Sequence, residues 1–364
     1  MKKLIILTKT FSLSFFSFIS IYGLFLLLGD IEGLFIGVFI LLVCFFTFSI
    51  RFIGLVIGRR KILAMKRYQP NLIFITVIAF STAILSVSNY TLETSLKHSL
   101  SARVKNHFYL EAVLVEKDRI FERVSFLSTL ENMNVSSASV FYEPQDKELA
   151  GSAIRHIRKM QSYHNGWIDV HEALPVTLIL YRNPLIFQQH LPHHSYENLQ
   201  ALYVPSQETI HLLVTNEMDE NPDQFLELVG HEYTHHWMIS YLLENKLDNR
   251  HLPRWFEEGI AEYAGKQSVR EVPIFVPLNF IPFTRLHTVE DWAYENRRKS
   301  SHRPYRQSYY AIDQLVKDGN ESKIKILLLN KQKNFYRLFE EVTDESLIEF
   351  EVRFLREEFM NLKR

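Results

Sequence analysis

The segment from Val229 to Trp237, Val-Gly-His-Glu-Tyr-Thr-His-His-Trp, sets the tightest limit on what this chain can fold into. Read as a helix, it places His231 and His235 four residues apart, one above the other on a single face. Two imidazoles so spaced can grip one zinc ion, and Glu232 stands beside them within reach of a water on that ion. The flanks support a helix. Asn221 is a favourable N-cap, Pro222 suits the first helical position, and Gln224 makes a capping-box-like pair with Asn221. From Pro222 to about Leu243 the run is mostly apolar, hence a buried helix. Unpaired polar groups in such a place are costly, so the two histidines and the glutamate need a reason to be there.

A second element, Leu252 to Tyr263, also reads as a helix, with Pro253 near its start and Gly265 as the expected stop. Zinc in a hydrolytic site takes three protein ligands and leaves one position open. Glu258 can supply the third from a neighbouring antiparallel helix. Glu262, one turn on, is spaced to hold a ligand histidine through its other ring nitrogen. The plain alternative for Glu257, Glu258 and Glu262 is a solvated helix face, against which stand the aromatic and small residues around them.

His-Glu-Tyr-Thr-His-His-Trp followed by Trp-Phe-Glu-Glu-Gly-Ile-Ala-Glu-Tyr resembles the gluzincin metallopeptidases, the group of thermolysin and aminopeptidase N, and within it the bacterial peptidase MA-like branch. The resemblance covers roughly Ser137 to Glu358 and is densest between Leu228 and Tyr263. It implies an α+β, zincin-like catalytic domain with a small mixed sheet, active-site helices and a helical C-terminal part. It also implies that His231, His235 and Glu258 hold Zn2+ and that Glu232 is the general base for a zinc-activated water attacking a peptide bond. In aminopeptidases a Pro-Tyr-Glu-Lys-Gly sequence supplies a tyrosine that steadies the oxyanion. By that similarity Tyr305 of Pro304-Tyr305-Arg306-Gln307-Ser308 takes the role, with Tyr309 as second candidate and a core aromatic as the plain alternative.

There are departures. The 22 residues between His235 and Glu258 exceed the aminopeptidase spacing, and Gly-x-Met-Glu-Asn, which holds a substrate's free amino terminus there, is absent. The thermolysin-type Asn-Glu-x-x-x-Asp is altered to Glu257-Glu258 and then Glu262. Endopeptidase action on proteins or peptides is the resulting expectation.

The amino-terminal third speaks to location. Apolar, uncharged stretches run over 11–28, 33–50 and 72–87, each near the length of about 20 residues that a bilayer-spanning helix needs. Lys2, Lys3 and Lys9 precede the first, and Arg59, Arg60, Lys61, Lys66 and Arg67 separate the second from the third; Asp30 and Glu32 lie between the first two. The positive-inside rule then puts the amino terminus in the cytoplasm and everything after Tyr90 outside it, anchored in the cell membrane by three transmembrane helices. The expected domains are a membrane part over 1–90, a helical stalk or layer over 91–136, and the metallopeptidase over 137–364.

Within that last domain, strands are expected at 139–142, 176–181, 199–204 and 209–214, the last two forming a hairpin through Pro205-Ser206-Gln207-Glu208. In gluzincins an edge strand pairs with the extended substrate, and the first arm of this hairpin is the candidate. His190, His193 and His194 lack a carboxylate and a regular spacing, so a polar loop is expected there rather than a second metal site. Lys and Arg together equal Asp and Glu at 41 each, which argues against a nucleic-acid partner. Three other readings compete: an intramembrane protease, a non-catalytic gluzincin-fold binding protein, and a membrane sensor. The first is disfavoured because Asp219, Glu220, Asn221 and Asp223 directly precede the motif.

Overall fold

The computed structural model describes residues 117–168, 170, 174–192, 199–247, 252–271, 280–297, 304–317, 321–329 and 334–361. The three expected membrane spans lie outside the described residues, as do His193 and His194. Among the described residues no helix is long and apolar enough to cross a membrane. The chain divides into two compact units, Met1–Thr129 and Leu130–Arg364. Of the first, helix α1 (Lys117–Thr129) is described.

The second unit is α+β and is built on a five-stranded mixed sheet. Its strands are β1 (Glu131–Val135), β2 (Ala138–Tyr142), β3 (Val176–Tyr181), β4 (Ala201–Val204) and β5 (Thr209–Leu213), in the order β1-β2-β3-β5-β4. The three central strands are parallel, and β1 and β4 add to the two edges antiparallel. β3, Val-Thr-Leu-Ile-Leu-Tyr, is β-branched and apolar on both faces, as a covered parallel strand must be. The β4–β5 hairpin forms as expected, its loop closing with Glu208 in the left-handed region at φ 50°.

The expected helical layer over 91–136 stops short at its carboxyl end. Glu131-Asn-Met-Asn-Val135 has no apolar alternation of its own, yet it is a strand. Pairing with β2 through a tight turn at Ser136, φ 53°, overrides its weak intrinsic preference.

Helix α2 (Lys147–Asn165) buries Ala150, Ala153, Ile154, Ile157 and Met160, a stripe at helical spacing, and packs on β2. Short helix α3 (Pro184–His190) packs on β3 and β5, and short helix α4 (Asn216–Glu220) packs on the motif helix that follows it. The motif helix α5 (Pro222–Glu244) is buried nearly all round, with α2 on one side, α6 (Arg254–Val269) on another and the β4 edge on a third. Its amino end departs from expectation. Asn221 occupies the N-cap, but its side chain makes no capping bond. The same residue also ends α4, its N–H bonded to Glu217 O, so two helices fix its backbone.

Gly265 is not the stop of α6; it lies inside the helix, which runs on to Val269 and ends on left-handed Arg270. Its role is a close approach. A Cβ there would stand 2.9 Å from Glu227 O, and one at Gly230 would stand 3.3 Å from Gly265 Cα, so α5 and α6 cross glycine against glycine. That crossing lets ligands from both helices converge.

The remaining helices are α7 (Val289–Arg297), α8 (Pro304–Lys317), α9 (Glu321–Leu328), α10 (Phe335–Thr343) and α11 (Leu347–Asn361). The last two belong to the helical C-terminal part that was expected. Behind α6 they build an aromatic core in which Trp255 lies 4.5 Å from Phe283 and Phe339 lies 5.3 Å from Phe350, ring centre to ring centre. Trp255 fixes the first turn of α6 and with it the position of Glu258 one turn on.

Candidate metal centre

His231 and His235 do face one way from α5. Their Nε2 atoms are 3.3 Å apart, and Glu258 Oε2 on α6 lies 3.3 Å from the first and 3.6 Å from the second. Among the described residues this trio is the group whose ligand atoms gather closely enough to hold a metal ion. Four ligands on bonds of about 2.0–2.1 Å in a tetrahedron sit roughly 3.3 Å from one another, so the trio has the spacing of three tetrahedral corners. Glu258 Oε2 is buried and makes no well-formed hydrogen bond despite its two imidazole neighbours. A buried carboxylate oxygen left in that condition is costly unless a cation completes it. Two imidazoles and one carboxylate are the ligand types that suit a divalent ion such as zinc.

The surroundings prepare the donors. Glu262 Oε2 lies 3.2 Å from His231 Nδ1, as acceptor for its N–H, which leaves Nε2 as the ring nitrogen facing Glu258 and His235. Lys266 ties Glu262 in turn to Glu227, its Nζ 3.6 Å from the one and 2.5 Å from the other. Burial opposes charge on Glu258, but the Arg254 guanidinium and the His235 and His231 imidazoles outweigh it and hold the carboxyl well below the usual range. Burial likewise opposes charge on His231, and the neighbouring Glu258, Glu262 and Glu232 carboxylates reverse that and hold it well above its ordinary value. A cation entering the trio therefore displaces a proton from His231.

Glu232 is buried beside the trio, and its Oε2 accepts a 2.6 Å hydrogen bond from the backbone N–H of Tyr203 on β4. The Tyr203 hydroxyl lies 3.1 Å from His236 Nδ1, and His236 Nε2 donates to Leu174 O at 3.0 Å. One residue of the edge strand is thus bonded to two successive turns of the motif helix. Behind that helix, His164 Nε2 meets Thr234 Oγ1 at 3.0 Å, and burial pushes this histidine down to about 3. It stays neutral and acts as a wedge.

A cavity of about 240 Å³ opens on the trio. Leu202 and Pro205 from the hairpin and Met238 and Ile239 from α5 give it an apolar wall; Glu232, Arg254, Glu257 and Tyr305 are its polar lining. Tyr305 reaches it because α8 lies close against α6: a Cβ at Gly259 would stand 2.7 Å from Ser308 O. The Tyr305 ring is 6.1 Å from that of His231 and 5.0 Å from Trp292. Burial, and then the charge of Glu258, hold its phenol well above the ordinary value, so it keeps its proton and can donate. Tyr309 does not line the cavity; it packs on Tyr263 and Tyr310. His190 ends α3 rather than sitting in a loop, with Nδ1 3.1 Å from the Tyr181 hydroxyl.

Two participants escape the motif reading. The Tyr203 N–H is a backbone group and leaves no mark in the sequence. Arg254 stands four residues before Glu258, an oppositely charged pair at helical spacing, and that signal was there to be used.

No family model matches the chain. It is similar to a protein of Bacillus subtilis (strain 168) described as "Uncharacterized protein YhcO", at 33% identity over 132 residues, which is 36% of this chain and 40% of that relative. The matched stretch is under half of either protein, and the description assigns no activity.

Proposed function

We propose that the chain is a zinc-dependent endopeptidase, held in the cell membrane by its amino-terminal third and acting outside the cytoplasm. One observation carries this reading: three facing metal-ligand atoms, a buried carboxylate beside them and the β4 edge of the sheet share one cavity. Zinc, when bound, supplies a Lewis acid that polarises a carbonyl and makes water acidic near neutral pH.

The chain's own residues do the rest. Glu232 keeps Oε2 on the Tyr203 N–H, so Oε1 is the oxygen that takes a proton from the attacking water and delivers it to the departing amine. Tyr305 donates a hydrogen bond from its phenol O–H to the carbonyl oxygen as charge develops there. Ala201 turns its backbone N–H and C=O the same way as Tyr203, away from β5, and an extended peptide can pair with them. The apolar wall excludes water from the scissile bond and receives a side chain of the substrate. The absence of an amino-terminus anchor sequence favours internal cleavage. The membrane location rests on the charge pattern of residues 1–90 and is part of the same proposal.

Both parts are tested together on vesicles carrying the full chain. Right-side-out vesicles should cleave members of an added quenched-fluorescence peptide library, lose that cleavage with 1,10-phenanthroline and regain it with zinc. Cleavage confined to inverted vesicles would contradict the orientation. No chelator-sensitive cleavage from either kind would contradict the peptidase.

A further inference from the structure

We propose that Arg254 is a positioning residue which holds Glu258 Oε1, so that Oε2 alone faces the two imidazoles. The inference rests on the metal-site reading above and concerns how that site is set.

Arg254 is the first residue of α6, and its Nη2 is paired with Glu258 Oε1 one turn on. Its Nη1 lies 3.4 Å from Glu257 Oε2, and its backbone N–H donates to His287 O at 2.8 Å. The two oxygens of Glu258 therefore face different partners: Oε1 the guanidinium, Oε2 the imidazole nitrogens. Nothing covalent enforces this. A carboxylate beside a divalent ion can turn to offer both oxygens, and an unclamped one would raise the coordination number and take up the position needed by water or substrate. A charge-assisted hydrogen bond to a planar guanidinium removes that freedom.

The placement is hard to explain as helix stabilisation. A cation in the first turn opposes the helix dipole. Arg preceding Glu by four residues is also the weaker orientation for such a pair. Nor is it an exposed surface pair, since the Glu258 side chain is 2% and the Arg254 side chain 23% accessible. Arg254 and Glu257 together line the cavity beside the trio. A clamp on the ligand accounts for a half-buried arginine at an otherwise unfavourable position.

The test uses the full chain in detergent as wild type, Arg254→Met and Arg254→Lys, each checked for fold by circular dichroism and loaded with zinc or cobalt(II). Wild type should show the intense visible absorption of four-coordinate cobalt. Arg254→Met should bind zinc about 10- to 100-fold more weakly, as loss of an orienting partner does elsewhere, and its cobalt absorption should weaken as the coordination number rises. Arg254→Lys, which returns one charged donor, should recover most of the wild-type spectrum. A folded Arg254→Met with wild-type affinity and spectrum would overturn the proposal. Should the methionine variant not fold, a crystal structure of the zinc-loaded wild type decides. Oε1 on Arg254 and Oε2 on zinc would uphold the clamp; both oxygens on zinc, or Arg254 turned away, would overturn it. Wild type taking up neither metal would remove the site itself, a result distinct from a metal-loaded protein indifferent to Arg254.

Discussion

Glu232→Gln is expected to keep its zinc and to lose about 10²- to 10⁴-fold in kcat, the usual contribution of a positioned general base. The substitution is conservative in every other respect. Glutamine matches glutamate in volume, and its amide oxygen can still accept from the Tyr203 N–H, so the β4 edge stays docked on α5. His231, the residue before, and His235, three residues on, are untouched. What disappears is a group able to take a proton. The loss should therefore fall on kcat with KM little changed, the pattern of an interaction used only in the chemical step. Steady-state kinetics on zinc-loaded protein, with metal content measured on the same sample, checks this. Wild-type turnover by the loaded variant would remove Glu232 from the role.

Glu258→Ala should do more damage of a different kind. It deletes the proposed anionic ligand, and zinc affinity should fall by well over the roughly 100-fold that loss of an outer-shell partner can cost. It also leaves the Arg254 guanidinium with Glu257 at 3.4 Å as its remaining carboxylate. Removing one partner of a buried ion pair costs about 3–5 kcal/mol, and Glu257 should keep the cost toward the lower figure. The expected result is a dialysed protein nearly free of zinc and a clear drop in Tm. Normal zinc occupancy after dialysis would refute the ligand assignment. The two variants separate the functions of neighbouring carboxylates: the first is metal-replete and inactive, the second inactive because metal-free.

Much of this site could be read from residue types and spacing. His231, His235, Glu232, Glu258 and Glu262 were identifiable because helical periodicity turns sequence distance into direction, and the structure brings all five together. The hairpin at 201–213 was legible from β-forming runs separated by a proline-containing turn. Other features depend on partners distant in sequence. Gly265 looks like a helix stop, since a glycine that ends a helix and one that lets two helices touch are the same letter. Glu131–Val135 carries no strand pattern and becomes one by pairing with β2. Asn221 has the composition of a capping residue, but α4 fixes its backbone from the other side. Arg254 stands at helical spacing before Glu258, but that its side chain runs inward to pair with Oε1 is a matter of the fold.

The central claim is that His231, His235 and Glu258 hold one divalent ion. Anomalous diffraction at the zinc edge, from crystals of the full chain grown with equimolar zinc, tests it most directly. The account predicts a peak about 2.0–2.2 Å from His231 Nε2, His235 Nε2 and Glu258 Oε2 alike. A peak that leaves Glu258 out of bonding reach, or none between the two imidazoles, would contradict it.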